Sequence, residues 1–258
     1  MATHSIDQHN VEIHEGLELW KKKVLLRKVY HSFYLEISKY LLRNQSGLTV
    51  ELGSGIGNLK SVFPECLATD IFQNPWIDQV ETAYSLSFKN ESVKNLILFD
   101  VFHHLQYPGT ALSELYRVLV PGGRLIIFEP CLSLLGYILY GVLHREGVGR
   151  ARDIVWSAPQ GWTSSENGYY AAQGNASNIF LTKTYEKELS GWNVITKKRY
   201  SALSYVGSGG YRGPQLYPSF MHSFMLQIDK VANLLPWLFA TRLLVVLEKR
   251  ENTEKAPL

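Results

Sequence analysis

Apolar residues recur at Val24, Tyr30, Phe33, Ile37 and Leu41 within Trp20 to Leu42, with Lys21, Lys22, Lys23, Arg27 and Lys28 between them. That spacing predicts one amphipathic helix whose basic side chains form a solvated face. Beyond it the period changes. Four short apolar runs, Leu48 to Leu52, Cys66 to Asp70, Leu96 to Asp100 and Leu125 to Glu129, have the length of strands and are punctuated by Gly, Pro and Asn. Between the third and fourth lies PGTALSELYRVLVPGG, where Pro108 suits a first helical turn, Leu112, Leu115 and Leu119 share a face, and Pro121-Gly122 stops the helix. Strand, helix, strand predicts a parallel sheet. A further strand is expected at Ile77 to Glu81. Only Ile71 to Trp76 separates it from its predecessor, too short for a helical crossover, so either it is a loop or the sheet is trimmed there.

After Pro130 the pattern loosens. Leu132 to His144 reads as a helix, and Arg145 to Ser177 is rich in Gly, Ser, Trp and Tyr without a clear period, as expected of a lid or binding loop. Thr182 to Leu189 is expected to be helical, Trp192 to Tyr205 a strand, Gly207 to Gly213 a flexible connector and Arg242 to Glu248 a closing strand. No repeat or second hydrophobic domain is visible. The expected organisation is a single domain over residues 1–258: a helical cap (1–45), a core (46–130), an insert or lid (131–180) and a C-terminal part of the sheet with a substrate-side loop (181–258).

The length of 258 residues permits a sizeable core, and 19% charged against 46% hydrophobic residues excludes broad disorder. A net charge of +3 falls short of the concentrated basic field that nucleic-acid binding needs, so no nucleic-acid partner is expected. Two cysteines, Cys66 and Cys131, are too few for a disulfide framework and read as core thiols. The opening MATHSIDQHNVEIHEG lacks the cationic start and apolar run of a secretory signal, which makes the cytoplasm the expected location. The longest apolar stretches, Cys131 to Leu143 and Leu234 to Leu247, fall short of the roughly 20 residues of a membrane span, and the second contains Pro236 and Arg242. A peripheral membrane contact stays open.

The most informative residues are Val50-Glu51-Leu52-Gly53-Ser54-Gly55-Ile56-Gly57. A strand that ends in glycines and opens a helix lets backbone N–H groups approach an anionic group of a ligand. The dinucleotide fingerprint would need glycine at position 58, where Asn58 stands, which disfavours NAD. Asp70 ends the next strand, where a carboxylate can accept hydrogen bonds from both hydroxyls of a ribose.

Together with LILFDVFHHL and RVLVPGGRLIIFEP, these residues make the chain resemble the class I S-adenosylmethionine-dependent methyltransferases, in the small-molecule branch called type 11. The resemblance is close over about residues 46–130 and looser at ATRLLVVLEK. It implies a Rossmann-like, doubly wound α/β fold with a mostly parallel seven-stranded sheet, the last strand antiparallel, plus the N-terminal helix and a lid after strand five. It implies S-adenosylmethionine as cofactor and S-adenosylhomocysteine as product. By that resemblance Glu51, Gly53, Ser54, Gly55 and Gly57 hold the methionine end, Asp70 and Ile71 the ribose and adenine, and Asp100, Val101 and His104 lie close to the sulfonium and its methyl group. The family commonly has Asp-Ala before a Leu-Pro-Phe segment, whereas this chain reads Thr82-Ala83-Tyr84-Ser85-Leu86-Ser87-Phe88; Thr82 offers adenine only a hydroxyl, and Glu81 should face the other way in a regular strand.

Methyl transfer to an oxygen of high pKa needs a base, for which His104 is the first candidate and His103 the second, with His144 and Glu146 a further constellation. No Asp-Pro-Pro-Tyr-like segment follows strand four, which speaks against nucleic-acid bases as acceptors. Trp156, Trp162, Tyr169, Tyr170, Tyr205, Tyr211 and Tyr217 supply flat faces for a sugar, lipid-like or aromatic acceptor. The expected function is therefore methyl transfer to a small-molecule or glycan acceptor at oxygen, with no metal. A noncatalytic binding protein on the same scaffold and a nicotinamide-dependent reductase are the alternatives.

Overall fold

A strand buried on both sides must be apolar on both sides, and the central runs of this chain are. Leu96, Ile97 and Leu98 are all fully buried in the computed structural model, which describes residues 6–143, 147–166 and 169–251. Leu96 and Leu98 join the core under the helix that begins at Pro108, while Ile97 joins the core under the N-terminal helices. The chain runs α1 (Ile6–Lys22), α2 (Val24–Ser38), β1 (Leu48–Leu52), β2 (Leu67–Asp70), β3 (Gln79–Val80), β4 (Val93–Phe99), α3 (Pro108–Val118), β5 (Leu119–Pro130) and α4 (Leu134–Ile138). It continues with α5 (Asn175–Phe180), β6 (Trp192–Tyr200), α6 (Leu203–Ser208), α7 (His222–Ala232), α8 (Pro236–Phe239) and β7 (Arg242–Lys249). The seven strands form one sheet in the order β3-β2-β1-β4-β5-β7-β6. Every pair is parallel except those made by β7, which is antiparallel to both β5 and β6. This is the expected doubly wound sheet with its last strand reversed.

Several boundaries differ from the sequence reading for identifiable reasons. The N-terminal helix is two helices, broken at Lys23, whose backbone is not helical. The Arg27 guanidinium caps the carbonyls of Trp20 and Lys21 at 2.6 Å, and Lys23 Nζ donates to the carbonyls of Gly210 and Gly213 at 2.8 Å. With Lys28, whose Nζ donates to the Ser219 carbonyl, three of the five basic residues thus satisfy helix-end and loop carbonyls. The Lys23 bonds hold the Gly207–Gly213 segment, which is no flexible connector: α6 occupies its start, and Gly209 and Gly210 turn it at positive φ. The helix expected after the glycine-rich turn is only one 3-10 turn, Asn58–Ser61. β3 has two residues and reaches β2 through a connection without a helix, so the sheet is trimmed at that edge. Thr182 to Leu189 forms turns, the Leu132–His144 helix is α4 continued by a π turn over Leu139–Leu143, and β6 ends at Tyr200. β5 begins at Leu119, directly after α3, and its register on β4 shifts before Arg124, because Pro121 has no N–H for the ladder. Cys66 and Cys131 are buried free thiols, and burial pushes the Cys131 thiol up to about 11.

Candidate active site

The carboxyl ends of β1, β2, β4 and β5 meet at one edge of the sheet, and the sequence-predicted residues cluster there. Gly53, Gly55 and Gly57 all have positive φ, of 71°, 52° and 66°. A Cβ at Gly53 would run into Cγ2 of Val101, and one at Gly57 would lie 2.9 Å from the carbonyl oxygen of Trp76, whereas one at Gly55 would meet nothing within 4 Å. The turn is therefore pinched at both ends and open in the middle. The Gly55 N–H donates to Asp70 Oδ2 at 2.9 Å, so the acid that ends β2 also fixes the turn after β1. Ser54 ties the same two strands: its N–H donates to the Thr69 carbonyl at 2.8 Å, and its Oγ accepts from the Thr69 N–H at 3.0 Å.

Beneath the turn Glu51 is buried, and its Oε2 has no hydrogen-bond partner among the described residues. Burial, reinforced by the charge of Asp70, pushes its carboxyl up to about 8. This raises a testable pH dependence. A native pKa above the unfolded value means that the folded state holds the proton longer, so stability falls as pH rises from about 4.5 to about 8, by at most about 1.4 kcal/mol per pH unit. In urea titrations across that window Glu51→Gln should fall less steeply than the wild type and be the more stable at pH 8; parallel profiles would show that Glu51 is ionised in the native state.

Beside Asp70, a groove of about 440 Å³ is lined by Ile71, Glu81, Thr82 and Leu86. Ile71, just past the end of β2, is an apolar side chain left 42% exposed. Thr82 shares this groove, in a tight bridge to Ser85. Glu81, expected to face the other way, lines the same groove as Thr82, because β3 ends at Val80 and position 81 lies outside the regular strand. Its carboxylate accepts from Gln79 Nε2 at 2.6 Å, from the Ser87 N–H at 2.9 Å and from the Ser87 hydroxyl, and so is consumed in fixing the following turn.

At the end of β4, Asp100 adopts φ 56° and pairs with Arg242, the first residue of β7. Arg242 is 2% exposed, and its guanidinium lies 4.5 Å from the ring centre of Tyr205 and 5.7–5.9 Å from those of Phe33, Phe128 and Phe99. From the sequence Arg242 served to mark the start of the closing strand and to argue against a membrane span, not as a site residue. A cation immediately before the apolar run Leu243 to Leu247 was the available signal.

The paired histidines occupy a 3-10 turn, Phe102–His104, with ring centres 4.1 Å apart. His103 is buried and its Nδ1 lies 2.7 Å from Oε2 of Glu129, whose Oε1 accepts from the Phe102 N–H at 2.6 Å. Glu129 is fully buried at the end of β5 and was missed as a site residue; an acid closing the run LIIFEP was its signal. His104 is half-buried and its Nδ1 contacts the Tyr170 carbonyl at 2.9 Å, with the Tyr169 ring 5.7 Å away. The Ala172 N–H donates to the His103 carbonyl at 3.0 Å. The insert after β5 is thus bonded directly onto the histidines.

The aromatic residues divide. Trp156 stacks on Tyr185, and Trp162 meets Tyr84 and Tyr107 edge-on, so both pack the insert against the body. Tyr205 and Tyr211 instead ring Tyr30 on the N-terminal cap, and Tyr217 Oη donates to the Ser204 carbonyl. Only Tyr169 and Tyr170 of the seven adjoin the histidines among the contacts described. His144 and Glu146 lie outside the described residues. No group of three metal-ligating side chains occurs among the described residues.

Residues 50–127 match a family model described as a methyltransferase domain. A search of curated proteins gives no match. Two solved structures resemble the chain over nearly its full length. One is the candidate methyltransferase solved in complex with the Trm112 methyltransferase activator of Haloferax volcanii: 13% identity, TM-score 0.54, covering 96% of this chain and 99% of that one. The other is an S-adenosylmethionine-dependent methyltransferase of Thermotoga maritima, described as a candidate histamine N-methyltransferase: 15% identity, TM-score 0.52, covering 93% and 99%. At such identities the likeness is one of fold.

Proposed function

We propose that this chain, whose residues 50–127 match a methyltransferase-domain model, is an S-adenosylmethionine-dependent methyltransferase that methylates an oxygen of a small-molecule or glycan acceptor. The observation that carries the oxygen reading is the contact between His104 Nδ1 and the Tyr170 carbonyl. A carbonyl only accepts, so Nδ1 holds a proton, and in the neutral ring the lone pair is then on Nε2, the state a base requires. Glu129 orients His103 in the same manner, and His103 in turn packs against the His104 ring. In this reading His104 is the catalytic base and His103 a positioning residue.

The chain's own residues fit the cofactor. The turn is open at Gly55, Glu51 beneath it has an unpartnered oxygen, and exposed Ile71 beside Asp70 offers an apolar face in a groove of about 440 Å³. Glu51, Gly53, Ser54, Gly55 and Gly57 would hold the methionine end, Asp70 the ribose, and Ile71 and Thr82 the adenine. Asp100 and Val101 would flank the methyl group, with Asp100 fixed by Arg242. The cofactor supplies a carbon already activated by a positive sulfur. What remains for the protein is to align the acceptor, exclude water with the insert over the histidines, and take the acceptor's proton at His104 Nε2.

Thermal shift tests the cofactor, since a ligand that binds only the native state raises its apparent stability. S-adenosylmethionine and S-adenosylhomocysteine are expected to raise Tm and NAD to leave it unchanged; a shift with NAD alone overturns the reading. Transfer of labelled methyl to a small-molecule extract tests the base. His104→Ala should lose about 10²–10⁴-fold in rate while keeping the thermal shift. Wild-type turnover in that variant would remove His104 from the chemistry.

A further inference from the structure

Exposed apolar side chains gather on one side of the molecule. Phe220, Phe224 and Val231 recur at helical spacing along α7 and the turn before it, with half-buried Ile228 between the last two, and Leu234 and Trp237 extend the stripe into α8. Phe220 is 81% and Leu234 78% exposed. α8 packs on α4, which adds Leu134 and Tyr137, with Val142 beyond. Monomeric proteins rarely leave so continuous an apolar surface without a partner.

The charges around it indicate which partner. Residues 131–143 and 213–241 contain only two charged side chains. Asp229 is buried and accepts from the Ser204 N–H, which leaves exposed Lys230 beside Val231. Lys28 Nζ donates to the Ser219 carbonyl at 3.2 Å, which sets a second ammonium at the start of the stripe. Behind it, between α2 and α7, lies a cavity of about 450 Å³ with Trp20 and Leu226 among its apolar walls and Arg27, Lys28, His31 and His222 among its polar ones, and no acid. Nδ1 of His222, itself buried, has no hydrogen-bond partner among the described residues. A second copy seated on this face would have to oppose that acid-free rim to itself or to apolar surface.

We propose that this face docks on an anionic lipid bilayer, with Phe220, Phe224 and Trp237 entering the acyl boundary and the cationic cavity receiving a headgroup phosphate. No described helix is long and apolar enough to cross a membrane, so the contact is interfacial, with aromatic side chains at the depth they favour. Apolar burial supplies affinity, and the cations select anionic lipid. The docking is independent of the acceptor assigned above.

Flotation of the full chain with vesicles of phosphatidylcholine alone, or of phosphatidylcholine with phosphatidylglycerol, tests the inference. The chain should float with the anionic vesicles only. The triple variant Phe220→Ser, Phe224→Ser, Trp237→Ser should lose at least about tenfold in partitioning. Lys28→Glu with Lys230→Glu should also lose binding, and added salt should weaken the wild type. These side chains are exposed, so circular dichroism and Tm of the variants should match the wild type. Absence of flotation with anionic vesicles, equal flotation on neutral ones, or unchanged binding of the triple variant overturns the proposal. So does a dimer in sedimentation equilibrium that the triple variant abolishes, since a second copy would then cover the face.

Discussion

Replacing Arg242 by alanine is expected to lower the stability of the fold by about 3–4 kcal/mol, read as a fall in the urea midpoint at unchanged slope. The side chain is among the largest that are fully buried, and it fills the space between Phe33, Phe99, Phe128 and Tyr205 at the carboxyl edge of the sheet. Two effects compete. Bringing a guanidinium out of water costs several kcal/mol. The pair with Asp100 and four aromatic faces return a comparable amount, at about 0.5–2 kcal/mol per face. The charge itself therefore contributes little net stability, and the loss on truncation comes from the void. Asp100 is 28% exposed, so its carboxylate can be hydrated once the partner is gone, which keeps the penalty below that for a fully buried orphan. Arg242→Met, which keeps most of the volume, should accordingly retain more than half of the lost stability. An alanine variant within 1 kcal/mol of wild type would show that the aromatic cluster closes without this side chain.

Asp70→Ala is expected to weaken S-adenosylmethionine binding about 10- to 100-fold in calorimetric titration. The carboxylate already accepts from the Gly55 N–H at 2.9 Å, and its loss frees the open middle of the turn as well as the acceptor assigned to the ribose. Charged hydrogen bonds of this kind are worth about 1.5–3 kcal/mol, and about 1.4 kcal/mol is a factor of ten. Asp70→Asn separates the two contributions. Its carbonyl can still accept from Gly55, so it should recover the stability of the fold but only part of the affinity. Unchanged affinity in Asp70→Ala would reject the ribose assignment while leaving the sheet intact.

The sequence by itself determined the layered α/β plan, because strand-sized apolar runs alternating with a helical face leave few other ways to bury both sides of a sheet. It also determined the glycine turn, since Gly53 and Gly57 stand where neighbouring atoms and positive φ exclude a side chain. Asp70 was legible because an acid at the end of a strand beside such a turn has a short list of tasks. What only the tertiary structure decided are the long-range pairings, which leave no periodic trace. Glu129 meets His103 across 26 positions of sequence, Arg242 meets Asp100 across 142, and Lys23 reaches the loop around Gly210 across 187. Each needs two elements brought together by the sheet order, so a polar residue in an apolar run is visible beforehand but its partner is not. The break at Lys23 and the shortened edge at β3 follow the same logic: local propensity favours one long helix and a longer strand, and contacts from distant segments set where each one ends.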